Sequence, residues 1–123
     1  MTRFWIVLGG LWILAACANN PTGNPARMVE RYLLAKVTRD DTALRRLLCS
    51  EMEDQYEREL RSFETVSDAH LDGMACRRVG ETNTVRCTGV IWAVYGSEQT
   101  KFPLTTYRVV WEDGEWKWCG EAP

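Results

Sequence analysis

The sequence predicts an α+β domain in which amino-terminal helices pack on a curved antiparallel sheet of about four strands, stapled by disulfides. The first half of the chain repeats apolar residues at helical spacing, whereas the second half is rich in β-branched and aromatic residues separated by turn signals. One predicted sheet face is so aromatic that it needs a cover, and the amphipathic helices are the candidates for it.

Three short helices are expected in the first half. Asn24-Pro25 predicts the first helix start, because asparagine caps well and proline is tolerated in the first turn. Asp41 is expected to cap a second helix, and Ser50 with Glu53 matches a capping box that would open a third. The apolar residues of this third helix share one face: Met52, Tyr56, Leu60 and Phe63.

The second half predicts strands near 66–79, 83–95, 99–112 and 115–120. Asp113-Gly114 is a type I′ turn signal that sets Trp111 opposite Trp116. Alternation then puts five residues on one face: Tyr107, Val109, Trp111, Trp116 and Trp118. When the alternation is continued through the preceding strand, Val90, Trp92 and Val94 fall on the same face. The aromatic set Trp92, Trp111, Trp116, Trp118 and Tyr107 would form core, line a ligand pocket, or do both.

The four cysteines beyond Cys17 favour two disulfides over a metal site, because no pair has close CxxC spacing: Cys49, Cys76, Cys87 and Cys119. Three pairings are formally open. A hairpin around GETN would place Cys76 directly opposite Cys87, which leaves Cys49 for Cys119. The strand alternation puts Cys119 on the face opposite the tryptophans, so this second bridge requires a bulge or an edge strand.

Residues 1–16 have the profile of a signal peptide, with Arg3 followed by an uncharged run to Ala16. That run makes roughly 20 Å of helix, which is too short for a hydrocarbon core of roughly 30 Å. Leu14-Ala15-Ala16-Cys17 resembles a bacterial lipobox. The resemblance implies cleavage before Cys17 and a diacylglyceryl group on its thiol. The alternative is an ordinary secreted protein in which Cys17 is incidental.

The lipobox resemblance implies a lipid-anchored protein on the extracytoplasmic side of the cell membrane or outer membrane. Ala18, rather than Asp, matches the sorting rule for the outer membrane. Residues 17–25, rich in Asn, Gly and Pro, would be a flexible tether, and residues 26–123 a single domain. Two acyl chains anchor a protein stably, whereas one holds it only marginally.

The order of elements resembles the nuclear transport factor two-like (NTF2-like), or cystatin-like, cone. The segments YRVVWEDGEWKWCG (107–120) and RRLLCSEM (45–52) are similar to small bacterial lipoproteins of unknown function with this fold. The resemblance implies a fold and leaves chemistry open. Some members of this fold are enzymes with an acid or a histidine in the cone, and many others only bind or assemble.

Candidates for chemistry are few. His70, between Asp68 and Asp72, is the only histidine, and it would be either an oriented catalytic base or an exposed strand residue. The acidic residues of the third helix are expected to form a solvated face: Glu51, Glu53, Asp54, Glu57 and Glu59. No catalytic residue, cofactor or metal site is predicted.

A net charge of −2 argues against a nucleic-acid partner. The expected function is therefore a non-catalytic binding domain on a lipid anchor, with the membrane and an unknown protein or small apolar ligand as partners. The alternatives are a cone-pocket enzyme that uses His70 and nearby carboxylates, and a structural or inhibitory module without a pocket.

Replacing Cys17 by serine tests the predicted anchor. Cys17→Ser removes the acceptor thiol, so the protein should leave the membrane fraction while its far-UV circular dichroism stays unchanged. Fractionation followed by immunoblotting measures this. Retention of the variant in membranes would instead favour an uncleaved apolar helix.

Overall fold

The computed structural model describes residues 21–123, so the leader and Cys17 lie outside the described part. The helices are α1 (Pro25–Thr38), α2 (Asp41–Leu47), a 3₁₀ helix (Ser50–Gln55) and α3 (Tyr56–Leu60). The strands are β1 (Asp68–Arg78), β2 (Thr84–Tyr95), β3 (Glu98–Pro103), β4 (Thr106–Glu112) and β5 (Glu115–Glu121). Between residues 21 and 123, no helix has the length and apolar character needed to cross a bilayer.

The first helix has the predicted start. The Asn24 side chain accepts a hydrogen bond from the Ala26 backbone N–H at 2.9 Å, and Pro25 occupies the first turn. The helix ends at Thr38, and the cap residue Arg39 adopts the left-handed conformation with φ of 55°. One face of α1 is buried and packs on the sheet.

The other two predicted caps are wrong in detail. Asp40, rather than Asp41, caps α2 by accepting from the Ala43 N–H at 3.2 Å. Ser50 makes no capping box, because its backbone N–H and hydroxyl both donate to the carboxylate of Glu112, at 2.7 and 3.0 Å. This tertiary partner competes with the local one, and the segment begins as a 3₁₀ helix.

The sheet is antiparallel, with β1, β2, β4 and β5 in that order and β3 beside β2. The α+β prediction is confirmed, with helices preceding a five-stranded sheet. The strand predicted at 99–112 is two strands. They separate at Leu104–Thr105, where the Leu104 N–H donates to the Gly89 carbonyl at 2.9 Å and the Cys87 N–H to the Thr105 carbonyl at 3.0 Å.

This break moves Trp92 to the outer face, which corrects the predicted aromatic face. In β3, Pro103 pairs with Val90, whereas in β4 Tyr107 pairs with Val85, so the register changes by one residue between the two strands. A shift of one residue exchanges the two faces of a strand. The β2 residues that face the helices are therefore Val85, Cys87, Ile91 and Ala93, and not Val90, Trp92 and Val94.

The predicted turn between the last two strands is present. Asp113 and Gly114 both have positive φ, of 54° and 75°, as a type I′ turn requires. Trp111 pairs with Trp116, as the turn signal predicts.

The structure contains the two disulfides that the sequence favours. Cys76 and Cys87 face each other in the β1–β2 ladder with Cα atoms 4.1 Å apart. Cys49 joins Cys119 across 70 residues. β5 is an edge strand, and its outer edge pairs with the chain around Cys49, whose N–H donates to the Trp118 carbonyl at 2.9 Å.

The β4–β5 register explains how Cys119 reaches Cys49. Two residues of β5, Cys119 and Gly120, stand opposite one residue of β4, Arg108, which is the pattern of a β-bulge. The sequence predicts that this bridge requires either a bulge or an edge strand, and the structure contains both.

The two disulfides should contribute unequally to stability. In the chain-entropy account, the Cys49–Cys119 bridge is worth about 4 kcal/mol and the shorter Cys76–Cys87 bridge about 3 kcal/mol. Paired Cys→Ala variants of each bridge, compared by urea unfolding, measure the difference. A larger loss for the hairpin pair would contradict this order.

Candidate functional site

A cavity of about 650 Å³ lies between α1, the segment 52–63 and the inner face of the sheet. Its volume falls in the range of small-molecule sites, about 300 to 1,000 Å³. Most of its wall is apolar: Leu33, Phe63, Ile91, Leu104, Tyr107 and Trp118. Tyr95 and Phe102, each 38% exposed, stand at its rim. We call this space the cone cavity.

One buried carboxylate, that of Glu59, stands in the wall of the cone cavity. Glu59 is only 6% exposed, and burying an ionised carboxylate is costly unless it is paired and hydrogen-bonded. The Tyr32 hydroxyl donates to one oxygen of Glu59 at 2.6 Å, and the Lys36 ammonium contacts the other at 3.2 Å. Both carboxylate oxygens therefore have partners from α1.

Tyr32 is fixed from two sides. Its ring stacks on Trp118, with centroids 4.1 Å apart and planes 9° from parallel, while its hydroxyl holds Glu59. Burial, and then the negative charge and hydrogen bond of Glu59, raise the pKa of Tyr32 far above its usual value. The hydroxyl therefore stays protonated and donates at any physiological pH.

The polar residues of the cone cavity are positioned by helical spacing. Tyr32 and Lys36 are one turn apart on α1, so both point to the same side. Glu59 lies three residues after Tyr56 and four before Phe63, both on the predicted apolar face. Its expected place on a solvated acidic face is wrong. Neither Glu59 nor Lys36 is among the predicted site residues, although the core-facing spacing of a charged residue was an available signal for Glu59.

Most of the polar groups in the cone cavity wall come from its helical side. The Lys36 side chain is 21% exposed, and Arg58 and Ser62 also line the space, whereas Glu121 belongs to β5. A ligand in the cone cavity would thus meet aromatic and aliphatic surface over most of its body and hydrogen-bonding groups where it approaches the helices. The arrangement favours binding of an apolar molecule with one polar end.

The predicted aromatic residues separate into three environments. Trp118 and Tyr107 line the cone cavity. Trp111 and Trp116 pack edge to face, with centroids 5.6 Å apart, and are not part of its wall. Trp92 lies on the outer face, where its indole N–H donates to Asp72 at 3.2 Å. The tryptophans therefore do not fill the cone cavity.

His70 is not part of the cone cavity wall. It pairs with Trp92 across β1 and β2, so it occupies the outer face, and its side chain is 56% exposed. Its Nδ1 lies 3.1 Å from Asp68, which is itself exposed. Within the described residues 21–123, no group of three or more His, Cys, Asp and Glu residues is placed to hold a metal ion.

Comparison with solved structures shows the class of fold. The chain is similar to an NTF2-like protein of unknown function in nutrient uptake from Rhodospirillum rubrum, with a TM-score of 0.52 and 22% sequence identity. The match covers 80% of this chain and 96% of that one. No protein-family model and no curated protein matches the chain. The described domain thus has the NTF2-like fold.

Removing the Tyr32 hydroxyl should destabilise the domain. Tyr32→Phe leaves one oxygen of buried Glu59 without its donor, which we expect to cost about 2 kcal/mol. Tyr95→Phe, at an exposed position, is the matched control and should change stability by less than about 0.5 kcal/mol. Urea unfolding at neutral pH measures both, and equal values for the two variants would contradict the proposed support of Glu59.

Proposed function

We propose that this protein is a lipid-anchored extracytoplasmic binding protein whose cone cavity takes a small, largely apolar ligand with one hydrogen-bonding end. The observation that carries the proposal is an apolar cavity of about 650 Å³ with the buried Glu59 in its wall. A domain of this size could fill such a space with its own tryptophans. Of the four tryptophans in the described residues 21–123, only Trp118 contributes to the wall.

The chemistry of the wall supports the ligand class. Tyr107, Phe63 and Trp118 offer flat apolar surface, which suits a hydrocarbon or ring system. Lys36 and Arg58 are donors only, so they would receive an acceptor such as a carbonyl, hydroxyl or carboxylate oxygen at the ligand's polar end. Glu59 and Tyr32 hold Lys36 in place for that contact.

The exported location rests on separate arguments. Two disulfides in a small domain are typical of an oxidising compartment. The lipobox-like segment ending at Cys17 supports an anchor, and six residues of tether composition separate Cys17 from the helix cap at Asn24. A binding domain held this way would sample ligand near the membrane.

Blocking the cone cavity from one wall tests the binding proposal. Leu33 lies in the wall and is 2% exposed, whereas its neighbour Leu34 is 53% exposed and outside it. Leu33→Phe should place extra volume in the cone cavity and weaken binding of 1-anilinonaphthalene-8-sulfonate at least about tenfold, a loss of about 1.4 kcal/mol. Leu34→Phe adds the same group outside the wall and should bind like the unchanged protein.

A second variant covers the case in which Leu33→Phe fails to fold. Ile91→Phe enlarges a side chain on the sheet side of the same space. Near-UV circular dichroism establishes that each variant is folded, and probe fluorescence gives the affinity. Unchanged probe affinity in a folded variant of either wall residue would overturn the cavity as the binding site and favour a module that acts through its surface.

A further inference from the structure

Four arginines surround a second recess, of about 470 Å³, where β1 passes the start of α1: Arg27, Arg77, Arg78 and Arg86. The helix cap Asn24 lines the same recess. The chain as a whole has a net charge of −2, so this positive charge is a local concentration rather than a general property of the surface. We call these four residues the arginine patch.

Two members of the arginine patch repel each other. Arg77 and Arg86 are directly paired in the β1–β2 ladder, so their side chains leave the same face of the sheet, and both are exposed. Like charges directly opposite are unfavourable in a sheet. Among residues 21–123 neither forms an ion pair, whereas Arg27 pairs with Glu30.

Arg78 is hydrogen-bonded but keeps its charge. Its guanidinium donates to the carbonyl of Thr82 at 2.8 Å and to that of Glu81 at 3.3 Å, which brings no negative charge to the patch. An external anion would therefore relieve the repulsion that the described part of the chain leaves in place. Guanidinium groups match phosphate oxygens geometrically as well as electrically.

The position of the arginine patch identifies the source of that anion. Asn24 follows Cys17 by seven residues, and a chain of that length spans at most about 25 Å. With the proposed lipid on Cys17, the end of the domain nearest the bilayer is thus the end that carries the patch. A soluble anion would have no reason to be concentrated at this end.

We infer that the arginine patch docks the domain on the anionic surface of the bilayer, with lipid phosphates at Arg77 and Arg86. This inference rests on the proposed lipid anchor. Lys36 lies twelve residues beyond Asn24 along α1, which is about 18 Å of helix. Docking through the patch would therefore hold the polar part of the cone cavity away from the lipid and open to the extracytoplasmic space.

Arginine footprinting of the lipidated protein on vesicles tests this inference. The vesicles are phosphatidylcholine alone, or phosphatidylcholine with about 30% phosphatidylglycerol to supply negative charge. Phenylglyoxal modification is followed by peptide mass spectrometry. Modification of Arg77 and Arg86 should slow at least about threefold on the anionic vesicles and recover in about 0.5 M salt, which screens the attraction.

The same molecule supplies the control. Arg39 and Arg61 share a recess with Thr38 at the other end of α1, and their modification rates should not depend on lipid charge. The variant Arg77→Gln/Arg86→Gln should lose the lipid-dependent protection of Arg27, while Arg39→Gln/Arg61→Gln, with the same change in net charge, should keep it.

Each other outcome counts against the inference. Equal protection of Arg39 and Arg61 would show unspecific adsorption, and no protection at Arg77 and Arg86 would show that the patch does not dock. Protection by inorganic phosphate on neutral vesicles, without a further effect of anionic lipid, would assign the patch to a soluble anion. If the protein fails to float with either kind of vesicle, the lipid anchor itself is wrong, which is a distinct result.

Discussion

The rest of the domain depends on the contacts that the buried side chain of Tyr32 makes with Trp118 and Glu59. Its ring lies flat against Trp118 of β5, and its hydroxyl holds Glu59 of α3, so one residue of α1 joins the sheet to the third helix. Because burial and Glu59 raise its pKa, the hydroxyl is protonated at neutral pH and donates to Glu59. This contribution to stability is complete below the usual tyrosine pKa of about 10 and is lost as pH rises above it.

The cone cavity exists because a change of register keeps a large side chain out of it. Had β3 and β4 formed one continuous strand, the alternation would have turned Trp92 towards the helices and put Ile91 outside. The break at Leu104–Thr105 reverses this, and Phe102 is left at the rim rather than in the core. The cone cavity and its rim therefore both result from the register change between β3 and β4.

The two ends of α1 serve different purposes in the proposed arrangement. The amino-terminal end adjoins the tether and the arginine patch, and the carboxy-terminal half contributes Lys36 to the cone cavity. If both proposals hold, the length of α1 separates the membrane-facing surface from the ligand-facing one. The Cys49–Cys119 bridge holds the chain after α2 against the edge strand, which covers that edge of the sheet.

The sequence by itself determined the features that local chemistry controls. Asn24-Pro25 starts a helix and Asp113-Gly114 makes a type I′ turn because each depends on neighbouring residues alone, and the opposed hairpin cysteines follow from loop length. The α+β class follows from hydrophobic periodicity. Only the tertiary structure decided the rest. The sheet face on which Trp92 lies depends on a register shift between strands. The burial of Glu59 depends on its partners Lys36 and Tyr32, which are 23 and 27 residues away, so no local pattern in α3 contains this information.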